Sequence, residues 1–138
     1  MKKDQEFYVG QKAFIKKDGK VLVLKLSDID TIDFPGGKIQ EGEENFIESL
    51  KREVKEETNL EVEIHEPFYT WYFTFHDKHP EAGKKVFLVG YRCTYVSGEL
   101  TLSHEHSSFE WVDSSSYQKV NDKTKHFSAL DYYFQSIK

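Results

Sequence analysis

Cysteine is almost missing from this chain: Cys93 is the only one in 138 residues, so no disulfide can close within it. Such a chain of one domain's length must stand on a packed core rather than on covalent staples. The lone thiol follows Phe87-Leu88-Val89-Gly90-Tyr91-Arg92, a segment that reads as a buried strand. Cys93 is therefore expected to be an inert core thiol, compatible with a reducing cytoplasm. Long apolar runs are also absent. Nothing approaches the roughly 18 consecutive apolar residues of a membrane span. The start, Met1-Lys2-Lys3-Asp4-Gln5-Glu6, places no apolar stretch behind its charges, so no signal peptide is expected. Positive charge is not in excess either: 19 Lys and Arg stand against 24 Asp and Glu, a net charge of −5. That balance disfavours a nucleic-acid polymer as partner. There is no internal repeat, low-complexity tract or linker, and residues 1–138 read as a single domain.

Aromatic residues, by contrast, make up 15% of the chain, which argues against global disorder. Residues 7–16 and 21–24 read as strands joined by the Lys17-Asp18-Gly19 turn. Ser27 to Thr31 reads as loop, and Phe34-Pro35-Gly36-Gly37 as a break in regular structure. Residues 44–58 contain no Gly or Pro and predict a helix. Residues 60–64, 68–75, 85–96 and 109–112 are strand-like, with a polar surface loop at His76-Asp77-Lys78-His79 and onward to Lys84. A second helix is expected over 121–137, with Phe127, Leu130, Phe134 and Ile137 as its core stripe. In the strand 68–75, alternation sends Tyr69, Trp71, Phe73 and Phe75 to one face. They are expected in the core, with stacking on a base as the second reading. Strands that interleave with helices and are also linked by tight turns predict a mixed β-sheet flanked by helices, an α/β (α+β) layered sandwich.

The chemistry concentrates between positions 37 and 60, where seven glutamates face four Lys or Arg. At about 100° per residue, Glu53, Glu56 and Glu57 share one narrow arc of the helix, while Ile47, Leu50 and Val54 form an adjacent core-facing stripe. Clustered carboxylates raise one another's pKa. They are best tolerated around a hard cation such as Mg²⁺ or Mn²⁺, which bridges carboxylates to phosphates. The alternative is a solvated acidic face paired with Lys51, Arg52 and Lys55. Gly36-Gly37, just upstream, let the backbone approach a ligand closely.

Gly37, then Glu43 after five residues, then Arg52-Glu53-Val54-Lys55-Glu56-Glu57-Thr58-Asn59-Leu60, resembles the Nudix box, here spanning 37–60. Two departures stand out. Eight residues rather than seven separate Glu43 from Arg52, so either Glu43 or Glu44 can be the partner of Arg52. Asn59 occupies the place of a glycine, a substitution tolerated because Asn adopts the left-handed conformation readily. The resemblance implies a Nudix fold and Mg²⁺- or Mn²⁺-dependent hydrolysis of a phosphoanhydride in a nucleoside diphosphate linked to another moiety. By the same resemblance, Glu53, Glu56, Glu57 and the Gly37 carbonyl would ligate metal, and Arg52 would orient the glutamates. Glu105 would serve as a further ligand or as general base in competition with Glu53. Gly36, Lys38 and His106 would meet the substrate. Signatures of coenzyme A, ADP-ribose and dinucleoside polyphosphate hydrolases are not found, which leaves a MutT-like nucleoside-triphosphate substrate by elimination. Nucleotide sugars and dinucleotides remain open, as does a nucleotide-sensing module without turnover. The resemblance also admits a homodimer.

Overall fold

A computed structural model describes residues 1–137. The chain runs β1 (Tyr8–Lys17), β2 (Lys20–Leu26), β3 (Ile32–Asp33), β4 (Gly36–Lys38), α1 (Phe46–Thr58), β5 (Glu61–Thr74), β6 (Lys85–Ser97), β7 (His106–Val112), a 3₁₀ turn (Tyr117–Val120) and α2 (Lys125–Gln135). The strands form one mixed sheet in the order β3-β2-β1-β6-β5, with β4 paired to β1 and β7 to β2. The β1–β6 pair is parallel and the other pairs are antiparallel.

Strand periodicity explains the layering. Along β1 and β2, Ala13, Ile15, Leu22 and Leu24 point to one face, where they pack with Leu50 and Val54 of α1. Phe14, Val21 and Val23 point to the other, where they pack with Phe127, Leu130 and Phe134 of α2. Each residue step reverses the face, so two short strands supply both cores of an α/β/α sandwich. Trp71 is buried in the α2-side core, with Tyr69, Phe73 and Phe75 against it and Tyr72 exposed on the other face. Cys93 is buried, and burial pushes its thiol up to about 12, as expected of an inert core residue.

Several boundaries differ from the sequence expectation. Helix α1 starts at Phe46 rather than 44, because the Asn45 side chain accepts from the Glu48 amide and caps it. Residues 60–64 and 68–75 are not two strands but one, β5, bent by register shifts between Ile64 and Tyr69. The shift also brings Phe68 to the α2-side core. The expected break at 34–37 ends in a short strand: Gly36 and Gly37 pair with Lys12 and Gln11. Helix α2 begins only at Lys125, since Thr124 caps it through the Phe127 amide, and it ends before Ile137, which is exposed.

Candidate functional site

The cleft is built where α1 crosses β4. Gly36 has φ 138°, and a Cβ there would collide with the Gln11 carbonyl. Gly37 lies directly against the Glu53 carboxylate, so that a Cβ would displace it. The Gly36 amide donates to Glu57 Oε1 at 3.4 Å. Two α1 carboxylates one turn apart therefore converge on a bare backbone segment, and only the paired glycines Gly36 and Gly37 permit this. Glu105, at the mouth of β7, closes the opposite side. One ligand atom each from Glu57, Glu105 and His106 lie within 4.8 Å of one another.

Burial pushes the Glu53 carboxyl up to about 7, although Arg52 and Lys12 pull the other way. Burial likewise pushes Glu57 up to about 8 against the pull of Lys12, with Asp33 and Glu105 adding repulsion. The neighbouring cations thus do not fully compensate these carboxylates. An oxygen-rich donor set of this kind fits a hard divalent cation, which Glu53 and Glu57 would hold beside the Gly37 backbone with Glu105 opposite.

Glu56 is placed differently. It faces outward, and Arg52 Nη1 donates to its two oxygens at 3.0 and 3.1 Å. Arg52 Nη2 donates to Glu43 at 2.9 Å, which selects between the two upstream glutamates. Glu44 is exposed, with no side-chain bond among the described residues. Ahead of this pair the chain turns at Glu41-Gly42, where Gly42 has φ 86° and the Glu43 amide bonds Gln40. That turn also brings the Gln40 amide onto Glu43 at 2.6 Å. Asn59 adopts φ 64° and its amide caps Lys55, so the expected left-handed helix stop is observed.

Behind the acidic face lies a buried network with no local signature in the sequence. Lys12 Nζ pairs with Asp33 Oδ1 at 3.0 Å and also donates to the Phe34 carbonyl at 3.2 Å. Asp33 Oδ2 lies 3.0 Å from His106 Nε2. Burial alone would push the Lys12 ammonium down, but Asp33 and Glu57 outweigh it and hold the pKa above its ordinary value. Burial also opposes ionisation of Asp33, yet Lys12 and His106 keep its carboxyl well below the usual range. His106 was expected at the substrate; the structure instead buries it to 5% exposure against Asp33. Its place in the β2–β7 pairing, opposite Leu26, turns the ring inward.

Lys38 stands at the cleft edge, with Nζ 4.7 Å over the Tyr8 ring and 5.4 Å over Phe75. Next to the acidic cleft, and sharing Lys12, Asp33, Phe73 and Phe75 with it, opens a larger cavity of about 480 Å³. His76 and His79 line this cavity rather than forming only a solvated loop, because the turn lays the His79 ring on Phe75 with centroids 4.1 Å apart. No helix among the described residues is long and apolar enough to cross a membrane.

Comparison with known proteins agrees with this geometry. The NUDIX domain family model matches residues 12–133. Among curated proteins nothing matches. A MutT protein from Methanosarcina mazei Go1 is similar in structure, with a TM-score of 0.79 and 23% identity over 99% of this chain and 100% of that one. A NUDIX hydrolase from Nitrosomonas europaea aligns with a TM-score of 0.72 and 18% identity, covering 93% and 88% of the two chains. A C. elegans Ap4A hydrolase in a binary complex aligns with a TM-score of 0.69 and 24% identity, covering 91% and 94%. At these identities the neighbours establish the fold alone; the family model spans nearly all of the sheet and both helices, and the chain belongs to the Nudix hydrolase family.

Proposed function

We propose that the chain, a single domain with its catalytic box at 37–60, hydrolyses a phosphoanhydride bond in a nucleoside di- or triphosphate with the help of Mg²⁺ or Mn²⁺. The observation that carries this is the convergence of Glu53 and Glu57 on the Gly36–Gly37 backbone, with Glu105 opposite and both α1 carboxyls pushed toward neutrality. A small-molecule nucleotide is the partner this geometry suits. A triphosphate is the preferred form, because Lys38 at the cleft edge adds positive charge beside the phosphate path. A bound divalent cation supplies charge neutralisation on the diphosphate and a more acidic water.

The remaining work falls to the chain's own groups. Glu53 and Glu57 form the cradle with the Gly37 backbone, and Glu56 supports it from the outer face of α1 through its pair with Arg52. Arg52, bridging Glu43 and Glu56, fixes the outward side of α1 so that Glu53 keeps its rotamer. Glu53 and Glu105 are the two carboxylates placed to take the proton from the attacking water. Lys38 meets the phosphates at the rim, and the Gly36 amide offers a hydrogen bond once Glu57 is engaged.

The test is release of phosphate or pyrophosphate from a panel of triphosphates, nucleotide sugars and dinucleotides with each metal. Glu57→Gln and Glu56→Gln should abolish metal-dependent turnover while leaving the circular dichroism spectrum unchanged. Wild-type rates in either variant at saturating Mg²⁺ would remove the site assignment. Tight nucleotide binding without any turnover would instead favour a sensing module. Loss of rate in Glu105→Gln with retained metal affinity would identify Glu105 as the base; the same pattern in Glu53→Gln would identify Glu53.

A further inference from the structure

The cavity beside the acidic cleft holds one polar group whose role within the fold is only half used. His126, at the start of α2, accepts a hydrogen bond on Nδ1 from the Trp71 indole N–H at 2.8 Å. An indole N–H can only donate. Nδ1 must therefore be the unprotonated nitrogen, and the neutral ring carries its proton on Nε2. Nε2 has no hydrogen-bond partner among the described residues, and it is not among the sealed-off polar atoms. His126 lines the cavity, so this is a fixed N–H donor presented to it. Three aromatic rings hold the imidazole edge-to-face: Trp71 at 5.9 Å, Phe73 at 5.8 Å and Phe34 at 6.5 Å. The tautomer and the direction of the N–H are thus both set by packing.

We infer that His126, locked by Trp71, selects nucleotides whose base presents a ring carbonyl at this edge over those that present an amino group. This rests on the hydrolase reading only for the presence of a nucleotide. The cavity is the right size for a base and ribose, at about 480 Å³ against the roughly 300–1,000 Å³ of small-ligand sites. Its walls include Phe73, Phe75 and the His79 ring stacked on Phe75, surfaces that suit a planar heterocycle. It adjoins the acidic cleft, sharing Lys12, Asp33, Phe73 and Phe75 with it, so a base here would leave its phosphates beside Gly36 and Gly37. A neutral N–H suits an in-plane carbonyl lone pair, whereas an exocyclic amino group would set donor against donor and leave both unpaired. Trp71 is a positioning residue in this scheme, because it reaches the base only through His126.

Inosine and adenosine nucleotides differ at this edge and isolate the effect. Wild type should favour inosine over adenosine triphosphate by at least about tenfold in kcat/KM, the value of one hydrogen bond lost with an unpaired donor. His126→Phe should bring the ratio close to one, mainly by weakening inosine triphosphate. His126→Gln, which keeps an N–H donor, should restore part of it. Trp71→Phe, with His126 intact, should lower the ratio because the ring is free to change tautomer. Nitrogen NMR of wild type should show His126 protonated on Nε2. Equal use of the two nucleotides by wild type, or an unchanged ratio in His126→Phe, would overturn the inference. Calorimetric binding of inosine and adenosine monophosphates reads the same preference without turnover. An inactive protein that still prefers the inosine form therefore refutes the hydrolase reading alone.

Discussion

Replacing Glu57 by glutamine removes a carboxyl that burial has pushed up to about 8 and keeps the side chain's size and its bond from the Gly36 amide. In the metal-free protein this carboxyl is protonated near neutral pH, whereas in the unfolded chain it titrates near its ordinary 4.5. A group whose pKa rises on folding stabilises the fold fully below the unfolded value and loses that contribution as pH climbs to the folded one. The window therefore runs from about pH 4.5 to about pH 8. The full span is worth roughly 5 kcal/mol at about 1.4 kcal/mol per pH unit, and rotation of the side chain toward water reduces it to about 2–4 kcal/mol. Urea unfolding with a chelator present, at about pH 5 and about pH 8.5, measures the change in wild type and variant. Wild type should lose stability across this interval by about 2–4 kcal/mol more than Glu57→Gln, and the variant should be the more stable of the two at the alkaline end. Saturating Mg²⁺ should flatten the wild-type slope, since the cation supplies the missing charge. Parallel pH slopes for the two proteins would show that Glu57 is not held in a desolvated carboxyl pocket, and the argument for the cradle would fall with it.

Asp33→Asn leaves the Lys12 ammonium buried without its carboxylate, which should cost about 3–5 kcal/mol in urea unfolding; a loss below about 1 kcal/mol would mean the pair is solvated. Gly36→Ala forces a side chain into φ 138° against the Gln11 carbonyl and should lower stability by on the order of 1–3 kcal/mol or more, visible as a drop in Tm. An unchanged Tm would show that β4 can shift away from β1. Arg52→Ala breaks exposed ion pairs to Glu43 and Glu56, so stability should change by no more than about 1 kcal/mol while kcat falls about 10–100-fold. Equal losses in rate and in stability would make Arg52 a fold residue instead.

Legibility in the sequence followed the range of the interactions. Helix α1 could be read because its signals are local: a glutamate arc, an apolar stripe at helical spacing and an Asn stop. The sandwich was readable from the order of elements, strands interleaved with helices and joined by tight turns. Where a single residue chose between local options, the reading was coarser. The bend of β5 looked like a gap between two strands, and the caps at Asn45 and Thr124 set starts that helix propensity alone placed too early. The Lys12–Asp33–His106 network was not legible at all. Its members come from β1, β3 and β7, and Asp33 and His106 are 73 positions apart. A lysine two residues before Phe14 in a strand looks like an edge residue until the sheet closes over it. His126 was hidden in the same way, as one polar residue between Lys125 and Phe127 at the start of an amphipathic helix.

The division of labour between β4–α1 and the cavity walls has a consequence for how such a molecule can diverge. The acidic cradle depends on the two glycines of β4 and on one helix face, and almost any change there would strike the proposed metal chemistry. Beyond the Lys12, Asp33, Phe73 and Phe75 walls that it shares with the cleft, the cavity is bounded by the 27–31 and 76–79 connections and the first turn of α2, elements that make no contribution to the cradle. On the proposed reading, selectivity and bond cleavage are thus carried by largely separate parts of the chain. On that reading, a new nucleotide preference can be acquired by rewriting two short connections and a helix start, while the proposed hydrolytic cradle is inherited intact.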